Sequence, residues 1–162
     1  MALPPGSWSL QGAPPVLELK AEVKGKALAL KAPIHAADLT IDDAGVVLTL
    51  GIGIDQVKSG SFLLDTAVRA FLVSQGAHEL LYVGSGPSDL EPAQVGGVAT
   101  SGRVAVDLEL ELSTVTTTSD GIRLAVTGTA VFEDVEVPIP GIGRLTDLVL
   151  EVHALLDLRK VA

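Results

Sequence analysis

The sequence predicts an all-β protein, an antiparallel β-barrel or a strongly curved sandwich with one packed α-helix. Aliphatic side chains recur at every second position over several long stretches, as on strands with one dry and one wet face. One segment follows a three- and four-residue spacing instead, which is typical of an amphipathic helix. The 162 residues include only one Trp, one Tyr and three Phe, so aliphatic side chains form the core.

Length and charge restrict the organisation and the partners. A chain of 162 residues corresponds to one domain, which we place at 16–162 after an irregular lead-in at 1–15. Eleven Lys and Arg against 20 Asp and Glu give a net charge of -9, which disfavours nucleic acid and anionic membrane surfaces. The absence of Cys excludes disulfides and thiolate sites. Residues 1–7 lack the basic and apolar regions of a signal peptide, and no apolar run could span a membrane, so we expect a cytoplasmic protein.

The first strands follow the lead-in. Residues 7–10 predict a short strand, and Trp8 is expected to anchor it to the barrel or sheet. Residues 16–24 alternate aliphatic and charged side chains, and the alternation resumes after Gly25, which predicts a hairpin.

The next segments lead to the helix. Residues 37–42 are interpreted as a short edge-like strand and 43–45 as a turn, followed by alternating aliphatic residues at 46–54. The spacing predicts the one helix at 61–76. After it we expect a strand at 79–83 and a polar loop at 87–97.

The second half carries the clearest pattern. Aliphatic residues alternate with polar ones at 104–112, 122–132 and 148–158, with a turn at 119–121. The intervening segment 133–146 contains Pro138 and Pro140, which predicts a long loop and excludes a central strand. Together these strands predict a barrel of about eight strands.

Catalytic and metal motifs are weak. His35, His78 and His153 show no metal-ligand spacing, and the Ser residues beside Gly form no nucleophile elbow. The acidic side chains alternate along wet faces, as expected for a solubility coat. The sequence therefore predicts no enzyme, no metal and no cofactor.

The interior of the barrel is the remaining candidate site. A barrel of about eight strands is either filled by its side chains or holds one small ligand, and few aromatics with many Val, Ala and Gly favour space. We expect an apolar ligand to contact the dry faces, with Phe71 and Phe132 near the mouth. The predicted ligand-binding residues are Leu48, Leu50, Ile52, Val68, Phe71, Val104, Val106, Leu108, Leu110, Val126, Phe132, Leu148 and Leu150.

The order of these features resembles the YceI-like family. Residues 50–54 lead to Ser59-Gly60, then to 64–71 with the string Val-Arg-Ala-Phe at 68–71, then to a strand at 80–83. A Gly-containing strand at 126–131 then precedes a Pro-bearing link and a last strand. The resemblance implies a lipocalin-like antiparallel barrel that binds a long apolar chain, such as a polyisoprenoid, in its interior.

Two alternatives stay open. A filled barrel would act as a structural or protein-interaction module, with an exposed strand edge or the Pro-Gly segment 135–146 as its contact surface. An enzyme ranks third. The sequence also leaves the oligomeric state open between a monomer and a homodimer.

Overall fold

The structure, a computed structural model, describes residues 4–23, 25–89, 92–132, 137–139, 143–145 and 148–161. Strands form most of this part of the chain, together with a 3₁₀ turn at Ile54–Gln56 and the helix α1 at Phe62–Ser74. The strands are β1 Gly6–Leu10, β2 Val16–Val23, β3 Lys26–Asp42, β4 Gly45–Ile52, β5 Leu80–Gly86, β6 Ala93–Ser101, β7 Val104–Thr117, β8 Gly121–Phe132, β9 Val137–Ile139, β10 Gly143–Leu145 and β11 Leu148–Val161.

The strands close into an antiparallel barrel. From β2 to β8 each strand pairs with the next, and β11 pairs with both β8 and β2. β1 pairs with β3 and β11 beyond the end of β2, so β1 and β2 share one position in the wall. Eight wall positions result, which confirms the predicted barrel fold with one helix.

The barrel has two unlike ends. One end, here called the helix end, carries the β2–β3 turn, α1 and the connection from β8 to β11. The other, the turn end, carries the β3–β4, β5–β6 and β7–β8 connections. Among the described residues, no helix has the length and apolarity needed to cross a lipid bilayer.

β1 belongs to the wall. It corresponds to the short strand predicted at 7–10, and Trp8 within it is 2% exposed and part of the core. The Lys160 ammonium lies 5.9 Å from the centre of the indole ring. Trp8 therefore anchors this segment to the barrel, as predicted.

β3 corrects the prediction of a separate edge-like strand at 37–42. It is one continuous strand with an irregularity between Ile34 and Ala36. Buried positions change from even to odd there, from Ile34 to Leu39. A bulge of this kind inserts one residue, so the strict alternation is lost although the strand continues.

β6 corrects the prediction of a polar loop at 87–97. The strand already begins at Ala93, and Gly97 lies opposite Gly84 on β5. A Cβ atom on Gly97 would overlap the carbonyl oxygen of Val83. Glycine is required at position 97 because the two strand backbones approach each other closely there.

The Pro-bearing connection was predicted as a long loop at 133–146. Its described parts, β9 and β10, form a separate two-stranded sheet in which Pro138 pairs with Arg144. They do not join the barrel wall. The rest of the predicted loop lies outside the described residues.

Candidate functional site: the barrel interior and its helix end

The interior wall brings together most of the predicted ligand-binding residues. Alternation along β4, β7, β8 and β11 turns them away from solvent, and each is at most 3% exposed. These residues are Leu48, Leu50, Ile52, Val104, Val106, Leu108, Leu110, Val126 and Leu150.

Two further predicted residues lie in the helix-end half of the barrel. Phe132 is opposite Leu148 where β8 and β11 pair, and it is also opposite Val106 on β7. The three positions therefore share one level of the wall. The side chains of Phe132 and Leu148 lie outside the described part of the structure.

The middle of the barrel is packed with aliphatic side chains. Leu48 on β4, Leu124 on β8 and Leu156 on β11 expose no surface. A side chain with no accessible surface borders no space large enough for water, so these residues contact their neighbours on all sides. Around them the interior is filled.

Tyr82 contributes a polar group to this interior. Its ring is fully buried, and its hydroxyl donates a hydrogen bond of 3.2 Å to the carbonyl oxygen of Leu108. Burial, with a smaller effect from the charge of Glu109, raises the pKa of Tyr82 to about 12. The hydroxyl is therefore neutral at physiological pH, and no charged side chain is buried among the described residues.

The helix end differs from the packed middle because some of its apolar side chains are only partly buried, although Ile52, Leu72 and Leu80 are buried there. The partly buried residues, here called the mouth cluster, pack against the core but retain exposed surface. Val68 and Phe71 of α1, two of the predicted ligand-binding residues, belong to it. The mouth cluster consists of Leu19, Ala21, Leu30, Ile54, Val68 and Phe71.

Sequence reasoning missed the mouth-cluster residues on β2, β3 and the 3₁₀ turn. Leu19 and Leu30 are directly paired across the hairpin, and in the sequence they look like any other dry-face residues. Their partial exposure arises because the hairpin extends toward the helix end, which only the three-dimensional arrangement shows. The sequence offered one signal for this end of the barrel, namely the helix predicted in the connection after β4.

Hydrogen bonds attach the start of α1 to the barrel. Lys58 pairs with Lys31 of β3 through two backbone hydrogen bonds of 2.7 and 2.8 Å. The Asp65 carboxylate accepts from the backbone N–H and the hydroxyl of Ser59 at 2.7 and 2.6 Å. These bonds to Ser59 lower the pKa of Asp65. Ser61 caps the helix by accepting from the N–H of Leu64.

The barrel seam between β2 and β11 is short. Within the described residues β2 pairs with β11 over Glu18–Lys20, whereas β8 pairs with β11 over Gly121–Phe132. Ala21 of the mouth cluster follows directly after the last paired residue of β2. The wall is therefore held by few hydrogen bonds beside the mouth cluster.

The histidines lie on the surface of the described structure. His35, His78 and His153 are exposed, and Nδ1 of His153 lies 4.0 Å from a carboxylate oxygen of Glu18. No group of three His, Asp or Glu side chains suited to a metal ion occurs among the described residues. The arrangement offers apolar surface for binding.

Comparison with known proteins supports the fold. No family model and no curated protein sequence matches the chain. The crystal structure of Burkholderia cenocepacia BcnA matches with a TM-score of 0.55 and 11% identity over 87% of this chain and 94% of that chain. A polyisoprenoid binding domain from Saccharophagus degradans, implicated in plant cell wall breakdown, matches with a TM-score of 0.59 and 10% identity over 95% and 98%. The resemblance predicted from the sequence is thus confirmed at the level of the fold.

Proposed function

We propose that this protein, whose barrel fold is shared with a polyisoprenoid binding domain, binds the long apolar chain of a lipid without catalysing a reaction. The observation that carries the proposal is the partly buried mouth cluster at the helix end of an otherwise dry barrel. An isoprenoid or fatty acyl chain would enter there and lie against interior aliphatic residues that move apart to admit it, because the interior is otherwise filled.

Burial supplies the affinity in this proposal. Each buried methylene contributes about 0.8 kcal/mol, so roughly ten of them give about 8 kcal/mol, from which the losses of association are subtracted. The interior near the helix end contains Val104, Val106 and Leu150, none of which carries a polar group. Ionic strength should therefore change the dissociation constant little.

The binding test uses protein from which bound lipid has been extracted. Cis-parinaric acid is titrated into the protein, and geranylgeraniol is used as the competitor, with fluorescence as the readout. We expect saturable binding of the acid and displacement by the alcohol. The absence of saturable binding of both probes would contradict the proposal.

Two matched variants locate the site. Val106→Trp adds bulk inside the barrel, whereas Val98→Trp adds the same bulk on the neighbouring strand β6, where the side chain is 49% exposed. Val106→Trp should abolish probe binding, and Val98→Trp should leave it unchanged. Because overpacking can cost about 1–3 kcal/mol, Phe71→Ala at the mouth serves as a second variant that should weaken binding in a folded protein.

A filled barrel that acts as an interaction module remains the second candidate. The full burial of Leu48, Leu124 and Leu156 favours it. The two candidates differ in what Val106→Trp does. In a filled barrel the variant unfolds and the wild type carries no lipid, whereas in a lipid-binding barrel native mass spectrometry of freshly purified protein detects a bound lipid.

A further inference from the structure

The outward side of α1 is unusually apolar. Phe62 is 83% exposed, Leu63 is 71% exposed, and Val73 is 65% exposed. The helix outer face, which the structure describes in full, carries Arg69 as its one charged side chain. This face consists of Phe62, Leu63, Thr66, Arg69, Ala70 and Val73.

Basic residues surround this face although the chain is acidic. Lys31 and Lys58 are paired beside the start of α1, and the Arg69 guanidinium donates a 3.2 Å hydrogen bond to the carbonyl of Val57. At the other end of the helix, the backbone N–H of Arg103 binds the carbonyl of Gln75 at 2.9 Å.

Acidic residues lie on both ends of the barrel, but not on the helix outer face. Asp55 and Glu79 flank α1 and are exposed, and the carboxylate of Asp65 is hydrogen-bonded to Ser59. At the turn end, Asp42 and Asp120 lie in or beside turns. Among the described residues, the helix outer face itself carries no acidic side chain, whereas the turn end carries Asp42 and Asp120.

We propose that the helix outer face docks on a lipid bilayer that contains anionic lipids. Phe62 and Leu63 would insert among the headgroups, while Lys31, Lys58 and Arg69 meet the anionic charge. Exposed aromatic and aliphatic side chains combined with Lys and Arg are the features of interfacial helices. The anionic surface repels the acidic turn end. This repulsion orients the molecule with its helix end toward the bilayer.

Docking in this orientation places the mouth cluster at the bilayer. Val68 and Phe71 of that cluster lie on the opposite side of the same helix from the outer face. If the proposed function holds, an apolar chain could pass from the bilayer into the barrel without crossing water. This consequence rests on the proposed function, whereas the docking itself does not.

Vesicle flotation tests the docking. The protein is mixed with vesicles of phosphatidylcholine alone, or of phosphatidylcholine with about one third phosphatidylglycerol, and the floating fraction is measured. We expect binding to the anionic vesicles that weakens when the salt is raised. Failure of the wild type to float with either kind of vesicle would overturn the proposal.

Matched variants assign the surface. Phe62→Ser with Leu63→Ser should lower the vesicle affinity by at least about tenfold, because two apolar side chains no longer insert. Leu81→Ser with Val83→Ser is the control, since these two residues are each 58% exposed on the outer wall of β5. Both double variants should keep the urea midpoint of the wild type. An equal loss of flotation in both would contradict the assignment to α1.

Two further measurements separate the alternatives. Probe binding from solution should be the same in Phe62→Ser/Leu63→Ser and in the wild type, so that a failure of cis-parinaric acid to bind counts against the proposed function alone. Sedimentation of the wild type tests whether a second copy of the chain, rather than a bilayer, covers the helix outer face. A dimer that Phe62→Ser/Leu63→Ser dissociates, without vesicle binding by the wild type, would assign the face to a second copy and overturn bilayer docking.

Discussion

The ring of Tyr82 lies over Gly84 on the inner wall of the barrel and occupies the space that a side chain at position 84 would need. Both residues are on β5 and both are buried. Gly97 lies beside Gly84 on β6, and Leu108 lies beside Gly97 on β7. The missing side chains let the phenol reach across to the Leu108 carbonyl.

Gly84→Ala should therefore destabilise the protein. The new methyl group would displace the Tyr82 ring within a packed interior, which costs about 1–3 kcal/mol. Gly96→Ala is the control, because its Cβ would come no closer than 4.0 Å to a neighbouring atom. Urea unfolding measures both. Equal midpoints for the two variants would show that the ring moves without cost.

The titration of Tyr82 gives a second prediction. Tyr82 is the single tyrosine of the chain, so the rise of absorbance near 295 nm reports its pKa alone. We expect a midpoint of about 12 in the folded protein and about 10 in urea. Because the pKa is higher in the folded state, this group's contribution to stability is complete below about pH 10 and is lost as the pH rises toward 12.

A buried charge on β7 tests the assignment of strand faces. Leu108 is 3% exposed, so Leu108→Asp would place an unpaired carboxylate in the dry interior and cost several kcal/mol. Leu81→Asp is the matched change on the outer wall, where the side chain is 58% exposed. Circular dichroism and urea unfolding should show loss of folding for the first variant and near wild-type stability for the second.

The link between Ser59 and Asp65 gives a prediction at the start of α1. Ser59→Ala removes the hydroxyl donor, so the pKa of Asp65 should rise toward its ordinary value. Carboxyl carbon NMR of Asp65 measures this shift, with Ser119→Ala as the control. Because the fold lowers the pKa of Asp65, the hydrogen bonds to Ser59 stabilise the folded protein fully at pH values above the ordinary carboxyl pKa. This stabilisation is lost as the pH falls through the lowered pKa. An unchanged pKa in Ser59→Ala would contradict this account.

The alternation of aliphatic residues predicted the long strands because each has one face in the core. Residues 104–112 show this, with even positions buried along β7. The same reasoning failed at His35, where an irregularity in β3 changes the buried face. It also failed at Gly97, since glycine is typical of loops as well as of closely approaching strands.

Only part of the candidate site could be predicted. Val68 and Phe71 were among the predicted ligand-binding residues because the helical spacing there interrupts a strand pattern. Leu19 and Leu30 were not, since their exposure depends on how far the hairpin extends beyond its neighbours. The sequence also could not show that β1 and β2 share one wall position, because this depends on the pairing of β1 and β2 with β11 at the far end of the chain.

The pairing of β11 with strands from the beginning of the chain determines when the barrel can close during synthesis. Val161 is opposite Ser7, and His153 is opposite Glu18, so closure joins residues about as far apart as this chain allows. Pairing of such distant segments is slow because a long loop must be ordered first. Until β11 leaves the ribosome, β2 and β8 are open sheet edges at which two nascent chains could pair with each other.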